Sequence, residues 1–222
     1  MKNRLVWVAS AALLFALFAA NSTRAQGRFE VTPFVGYETS ASYPVSPFSS
    51  AAQVDRFRIN DALAFGTFLD YNVSENFQAE FMWNRNNTSY SARDTLTNTY
   101  FKAFNSDVDQ FQFGGLYMFR NSDHRLRPYV AASVGFTHDD NSNLAGVVGA
   151  SSSRTEFSYS LGGGVKYYVT RHLGFRGDLR YLPTYGSSSY NQYCDPFFGC
   201  YTAKSPNFLN RGSFTGGVII HF

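Results

Sequence analysis

The sequence contains few charged residues and no long apolar run after its first twenty residues. Asp, Glu, Lys and Arg make up 16% of the 222 residues, whereas soluble domains typically contain about 25%. No later apolar run approaches the ~18 residues of a transmembrane helix. The net charge is only +3 and the basic residues are scattered, which argues against nucleic-acid binding. The composition therefore fits neither a helical membrane protein nor an ordinary soluble domain.

Cysteine and histidine are also scarce. The two cysteines, Cys194 and Cys200, lie close together late in the chain, and no further metal ligands lie near them. The four histidines form no cluster in the sequence. We therefore expect no metal site and no cofactor. In an exported protein, such a cysteine pair indicates one local disulfide.

Aromatic residues, by contrast, are abundant. They form 18% of the chain, with 23 Phe and 15 Tyr, yet the mean hydropathy is −0.24. This combination is typical of a membrane β-barrel, in which apolar lipid-facing residues alternate with polar lumen-facing ones. Aromatic residues also gather near the ends of the predicted strands, where we expect two girdles at the membrane interfaces.

Residues 1–25 have the features of a signal peptide. Lys2 and Arg4 precede the apolar segment 5–20, and Thr23 and Ala25 provide small residues at positions −3 and −1 of a cleavage site. The alternative, an uncleaved N-terminal anchor, would be short for a membrane span. We expect export, removal of residues 1–25, and a mature domain of residues 26–222.

The mature chain alternates apolar and polar residues with the period-two pattern of β-strands. The clearest segment sets Phe77, Phe81 and Trp83 against Gln78 and Glu80. Each segment has about ten residues, the length that a tilted membrane strand needs. The eight predicted strands are 29–37, 61–71, 77–84, 109–119, 128–137, 155–169, 173–181 and 213–222.

Short and long connections alternate along the chain. The short ones are rich in turn formers and comprise residues 72–76, 120–127 and 170–172. The long ones are rich in Ser, Asn and Asp and comprise residues 39–58, 86–108, 138–154 and 182–210. This order predicts an all-β fold: a closed, eight-stranded, antiparallel, up-and-down transmembrane β-barrel in the bacterial outer membrane. Its four long loops would be extracellular and its three short turns periplasmic, and closure would leave no unsatisfied strand edge in lipid.

The apolar face of this barrel must point outward, because the opposite face carries charged residues and glycines. Eight strands enclose a space that side chains fill. An unpaired charge in that space would be costly, so we expect the interior charges to pair and to plug the lumen. By alternation, four acids and three bases face inward: Glu30, Asp70, Glu80, Lys166, Arg176, Asp178 and Arg180.

Three segments resemble a known family. Segment 215–222, with Gly217, Ile220 and Phe222, is similar to the C-terminal insertion signal of outer-membrane barrels. Segments 127–136 and 173–181 resemble the OmpA/OmpX-like family of small outer-membrane β-barrels. The resemblance implies insertion by the barrel-assembly machinery and contact with outer-membrane lipid and lipopolysaccharide. It also implies that Glu80 and Arg176 form a pair, because a Glu on strand 3 and an Arg on strand 7 form a gating pair in the OmpA-type barrel.

No catalytic constellation stands out, so we expect no enzyme but a structural or surface-interaction barrel, whose long loops would contact an extracellular ligand or surface. A narrow porin-like channel is the main alternative. An outer-membrane lipid-modifying hydrolase is less well supported, because alternation places His138 and Glu156 on opposite faces and the His-x-Ser arrangement is missing. A soluble lipocalin-type binder would place its apolar residues inside.

Deletion of Phe222 tests the predicted insertion signal. We expect the deletion to lower the outer-membrane level in cells much more than the refolding yield in detergent micelles, because recognition is lost together with only one interfacial contact. Immunoblotting of membrane fractions and refolding assays on gels make the comparison. Equal losses in both assays would mean that Phe222 is only a packing residue.

Overall fold

The computed structural model describes residues 28–40, 42–44, 46–47, 54–94, 96–143, 153–186, 190–195, 199–204 and 208–222. The predicted signal peptide, residues 1–25, lies outside these ranges. The regular structure in them consists of β-strands. No helix in the described ranges is long and apolar enough to cross a membrane.

Eight long strands form a closed barrel. Each strand pairs in antiparallel fashion with the next one along the chain, and the last pairs with the first. The predicted closed, eight-stranded, antiparallel up-and-down barrel is therefore confirmed. In chain order, the strands are β1 Phe29–Ser40, β2 Ala62–Asn72, β3 Phe77–Asp94, β4 Tyr100–Met118, β5 Leu126–Asn143, β6 Ser153–Tyr168, β7 Leu173–Tyr181 and β8 Arg211–His221.

The strand register keeps apolar residues on the outer face and polar residues on the inner face. Between β1 and β2, Val35 lies opposite Phe65, and Glu30 lies opposite Asp70. Because successive side chains point to opposite faces, the first pair is exposed on the outside while both carboxylates are buried. The expected outward direction of the apolar face is confirmed.

Aromatic side chains contact each other across neighbouring strands at both ends of the outer face. Near the short turns, the ring centroids of Phe29 and Tyr71 are 4.9 Å apart. Toward the long connections, Phe65 and Trp83 form an edge-to-face pair at 6.2 Å. This placement is typical of aromatic residues at the two membrane interfaces.

The strands extend further into the long connections than the sequence pattern indicates. The prediction of a loop over residues 86–108 is wrong, because β3 and β4 stay paired up to Arg93 opposite Tyr100. Polar residues occupy both faces there, so the apolar period-two signal is lost although the backbone pairing continues. β5 likewise continues to Asn143, within the loop predicted at 138–154. β3 and β4 therefore form a long hairpin that continues beyond the segments with the alternating apolar pattern.

Short strands lie in the two longest connections. They are Ser42–Pro44, Ser46–Pro47, Val54–Ile59, Thr184–Tyr185, Tyr190–Asp195, Gly199–Lys204 and Phe208–Leu209. The backbone of Cys194 lies opposite that of Cys200 in an antiparallel pair. The side chains of both cysteines lie outside the described part of the structure, so their disulfide stays a prediction.

Replacing Leu179 by Arg tests the lipid-facing surface. Leu179 lies on β7 and is 63% exposed on the outer face. We expect the charge to lower the free energy of unfolding by about 2 kcal/mol, because a cationic side chain is unfavourable in hydrocarbon. Urea-induced unfolding in lipid vesicles measures the change. The control is Leu96→Arg, at an exposed position between β3 and β4; an equal loss there would contradict the assignment.

Candidate functional site: the charged barrel interior

All seven interior charges predicted from the sequence lie together in the barrel. Their side chains are at most 2% exposed. They come from five strands, and each occupies an inward position of its strand. The charged cluster consists of Glu30, Asp70, Glu80, Lys166, Arg176, Asp178 and Arg180.

The three cations of the cluster face three of its four acids across the lumen, while the fourth acid, Asp178, lies on β7 between Arg176 and Arg180. Glu30 lies opposite Asp70 in the β1–β2 register, and Asp70 lies opposite Glu80 in the β2–β3 register. On the facing wall, Lys166 of β6 lies opposite Arg176 of β7. Like charges on neighbouring strands repel each other. The row of carboxylates therefore requires the cations that reach it across the lumen.

Lys166 neutralises one end of the carboxylate row. Its Nζ lies 2.6 Å from Glu30 Oε2 and 2.7 Å from Asp70 Oδ2, and it donates to Gln78 Oε1 at 2.6 Å. Tyr168 donates a further hydrogen bond of 2.7 Å to Glu30 Oε1. Each of the three ammonium hydrogens thus has an acceptor, which is the full capacity of a lysine.

Arg176 connects Asp70, in the middle of the carboxylate row, to Glu80 at the end of the row. Its Nη1 donates to Asp70 Oδ2 at 3.1 Å, and its Nη2 donates to Glu80 Oε2 at 2.6 Å and to Asp178 Oδ2 at 2.9 Å. Its Nε donates to the Tyr129 hydroxyl at 2.8 Å, and that hydroxyl donates to the Asp178 carboxylate. The pair of Glu80 and Arg176 that the family resemblance implies is in direct contact.

Arg180 and an aromatic ring complete the cluster. Arg180 Nη1 lies 2.7 Å from Glu80 Oε1, and its Nε donates to Asp178 Oδ1 at 2.7 Å. The ring centroid of Phe68 lies 3.7 Å from Cζ of Arg176 and 5.0 Å from Cζ of Arg180. A cation above an aromatic face is stabilised by the ring quadrupole. Phe68 therefore fills space and holds both guanidinium groups.

A second polar group, which the sequence analysis missed, lies in the half of the interior that is nearer to the long connections. The Glu38 carboxylate accepts hydrogen bonds from Asn84 and Asn86. Arg211 Nη2 lies 3.4 Å from Asp139 Oδ1. These residues continue the inward alternation of β1, β3, β5 and β8, and the predicted strands ended too early to include most of them. Extending the alternation would have found them.

This second group is less completely hydrogen-bonded than the charged cluster. Within the described residues, Nε and Nη1 of Arg211, Oδ2 of Asp139 and Oδ1 of Asn86 are buried without a hydrogen-bond partner. Buried polar atoms of this kind are normally satisfied by ordered water. The half of the interior that is nearer to the long connections is therefore a suitable place for ordered water.

The residues of the predicted insertion signal lie at or just after the C-terminal end of β8, between two strands that carry members of the charged cluster, and Gly217 lies opposite Arg176 of β7. A Cβ added to Gly217 would lie 2.6 Å from the carbonyl oxygen of Pro33, so the close approach of β1 and β8 requires glycine there. Ile220 lies opposite Val31. The amide of Phe222 donates a hydrogen bond of 2.9 Å to the carbonyl oxygen of Phe29, the first residue of β1. Their role in insertion stays a prediction.

The histidine and the acid considered for a hydrolase face opposite sides of the wall. Glu156 is buried in the interior, while His138 is partly exposed, with its Nδ1 2.8 Å from Thr155 Oγ1. Among the described residues, no group of three His, Cys, Asp or Glu side chains is arranged to hold a metal ion.

Comparison with known protein families identifies the chain. Residues 9–222 match the family described as outer membrane protein beta-barrel domain. The chain belongs to this family. A member of this family resides in the bacterial outer membrane, as the sequence predicted. A comparison with curated protein sequences finds no match.

Solved structures share the fold of this outer-membrane barrel. OprG from Pseudomonas aeruginosa has a TM-score of 0.64 at 14% identity, covering 88% of this chain and 96% of its own. Neisserial surface protein A has a TM-score of 0.53 at 16% identity, with coverages of 87% and 97%. AlkL, solved in DMPC lipid bilayers, has a TM-score of 0.52 at 13% identity, with coverages of 91% and 93%. Likeness at these identities concerns the fold alone.

Replacing Lys166 by Met tests how strongly the cluster stabilises the barrel. Glu30 and Asp70 would lose the ammonium that lies between them, and a buried pair broken on one side typically costs about 3–5 kcal/mol. We therefore expect the free energy of unfolding in micelles or vesicles to fall by about 3 kcal/mol. The control, Lys102→Met, changes an exposed lysine of β4. Similar small effects of both substitutions would show that Lys166 is not essential to the cluster.

Proposed function

We propose that this protein is a structural outer-membrane barrel whose lumen is closed by the charged cluster and whose long extracellular strands contact a surface or ligand outside the cell. The observation that carries the proposal is the set of ion pairs between opposite walls. Lys166 bridges from β6 to Glu30 on β1, and Arg176 bridges from β7 to Glu80 on β3, both at 2.6 Å.

Closure is supported by the number of these contacts, because each cation of the cluster pairs with at least two carboxylates. A passing ion would have to break the pairs that Arg176 makes with Asp70, Glu80 and Asp178. Attraction between charges at such distances is strong where water is scarce. Apolar side chains also fill the interior beside the cluster, in one group of Phe34, Phe68, Met82 and Leu182 and another of Leu116, Met118, Tyr129 and Ala131.

A role in surface contact is supported by the length of the strands. β3 has 18 residues and β4 has 19, whereas about ten residues suffice to cross the membrane. The additional residues of β3 and β4 form a paired, polar hairpin on the extracellular side. Such a hairpin is more rigid than an irregular loop. Binding residues are often found on connecting segments that a rigid scaffold positions.

The proposal assigns no enzymatic reaction to the barrel. The charged residues of the interior are engaged with one another, and those of the cluster are shielded from solvent. The ring nitrogens of His138, the histidine considered for hydrolysis, lie within hydrogen-bond distance of Thr155 and Ser153, and among the described residues no ion pair joins His138 to an acid. These contacts favour a structural role for both sets of residues.

A narrow pore is the second candidate, and one observation favours it. The extracellular half of the interior holds unpartnered polar atoms on Arg211, Asp139 and Asn86 that suit water. A hydrated upper half would leave the charged cluster as the principal barrier. Rearrangement of the contact between Glu80 and Arg176 would then open a path.

Conductance measurements distinguish the two candidates. In planar bilayers we expect little or no steady conductance from the wild-type protein. Glu80→Ala or Arg176→Ala should raise the conductance, because each leaves a former partner unpaired and draws water into the cluster.

The matched control removes an ion pair from the outer part of the barrel. Arg85 pairs with Asp107 and Asp109 at 3.3 and 3.4 Å, and its side chain is 38% exposed. Arg85→Ala should leave the conductance at the wild-type level. Large, stable wild-type channels would contradict closure and favour the pore.

A further inference from the structure

The periplasmic end of the barrel carries an open pocket that the charged cluster does not use. The pocket has a volume of about 650 Å³ and lies between the β4–β5 connection, the β6–β7 turn and the end of β8. Three arginines, Arg125, Arg127 and Arg171, line it together with a single acid, Asp123. The pocket is therefore cationic.

Arg127 is held in place at the wall of this pocket by neutral groups. Its Nε donates to the carbonyl of His124 at 2.9 Å, and its Nη2 donates to the carbonyl of Ser122 at 2.7 Å. Its Cζ lies 4.2 Å from the ring centroid of Tyr168. These contacts position the guanidinium without placing a carboxylate against it, so its charge remains available to an anion.

The other two arginines approach the pocket from separate turns. Arg125 and Arg171 are both exposed, and in the described part of the chain neither forms an ion pair. His172 and His221 lie beside them, and His172 Nδ1 is 3.2 Å from the carbonyl of His221. Guanidinium groups that converge from different directions match the several acceptor oxygens of a phosphate.

The pocket adjoins the lipid-facing surface. Leu126 lies opposite Tyr167, and Tyr167 lies opposite Phe175, so these three side chains form a row across β5, β6 and β7. Their exposed fractions are 47%, 42% and 52%. Leu126 stands between Arg125 and Arg127 in the chain. The apolar row thus begins where the cationic pocket ends, as the acyl chains of a phospholipid begin next to its phosphate.

We propose that this pocket binds the phosphate-bearing headgroup of an anionic glycerophospholipid from the periplasmic leaflet. Arg125 and Arg171 bind the phosphate oxygens, Arg127 supplies fixed positive charge, and the acyl chains lie along the apolar row. Free phosphate has the same chemistry as the headgroup, but it has no acyl chains that could contact the apolar row. The assignment is independent of whether the lumen is closed.

Native mass spectrometry of the detergent-solubilised protein tests the proposal. Phosphatidylglycerol is titrated into the wild type and into the double variant Arg125→Gln/Arg171→Gln. We expect the double variant to bind the lipid about thirtyfold more weakly, since each arginine near an anionic lipid contributes roughly a fivefold gain in affinity.

The control variant removes the same charge from the same end of the barrel. Arg28 and Arg120 are exposed near the short turns and do not line the pocket. Arg28→Gln/Arg120→Gln should bind phosphatidylglycerol nearly as well as the wild type. Equal weakening in both double variants would overturn the proposal, since it would mean diffuse attraction only, and so would absence of lipid binding by the wild type.

Inorganic phosphate distinguishes the two sources of the ligand. We expect phosphate to compete only weakly, because it lacks the contact with the apolar row, and Leu126→Ser should weaken lipid binding without changing phosphate binding. If phosphate displaces the lipid efficiently and Leu126→Ser has no effect, the lipid assignment is wrong and the pocket binds free phosphate.

Discussion

Three carboxylates lie side by side on the inner wall of the barrel, and the organisation of the interior depends on neutralising them. Glu30, Asp70 and Glu80 occupy adjacent positions on β1, β2 and β3, an arrangement that is repulsive on its own. Closure of the barrel brings β6 and β7 to the opposite side, where Lys166 and Arg176 reach the row. The ion pairs and the closed ladder therefore stabilise each other: an open sheet would leave the acids facing one another without cations.

The same constraint separates the interior into two parts. In the charged cluster, cations, carboxylates and hydroxyls are densely hydrogen-bonded, and the ring of Phe68 lies against both guanidinium groups. Around Arg211 and Asp139, buried polar atoms of the described residues have no partner and suit water. In the function proposed above, the tightly bonded cluster is the barrier to ions, and the region around Arg211 is the part that holds water. The outer face presents mainly exposed apolar and aromatic side chains.

Alternation along single strands was enough to predict the barrel and its seven interior charges, because the period of two is a local property of the backbone. The bounds of β7, residues 173–181, agree with the prediction at both ends. The extent of β3 and β4 did not follow from the pattern, since Asn, Ser and Thr occupy both faces of their hairpin. Glu38 and Asp139 were missed because the predicted first and fifth strands ended just before them. Apart from the pair of Glu80 and Arg176 that the family resemblance implies, the partners of the charges could not be predicted from the sequence. The proximity of Tyr129 to Asp178, or of Gln78 to Lys166, depends on how the barrel closes, which no short segment specifies.

A double-mutant cycle on Asp70 and Lys166 tests most directly whether the opposite walls are coupled. The two groups lie 2.7 Å apart, and Asp70 occupies the middle of the carboxylate row. Asp70→Asn, Lys166→Met and the double variant would be compared with the wild type by reversible unfolding in lipid vesicles. The account predicts a coupling free energy of about 2 kcal/mol, within the range for residues that share one ion-pair network. Additivity of the two substitutions, to within about 0.3 kcal/mol, would contradict it.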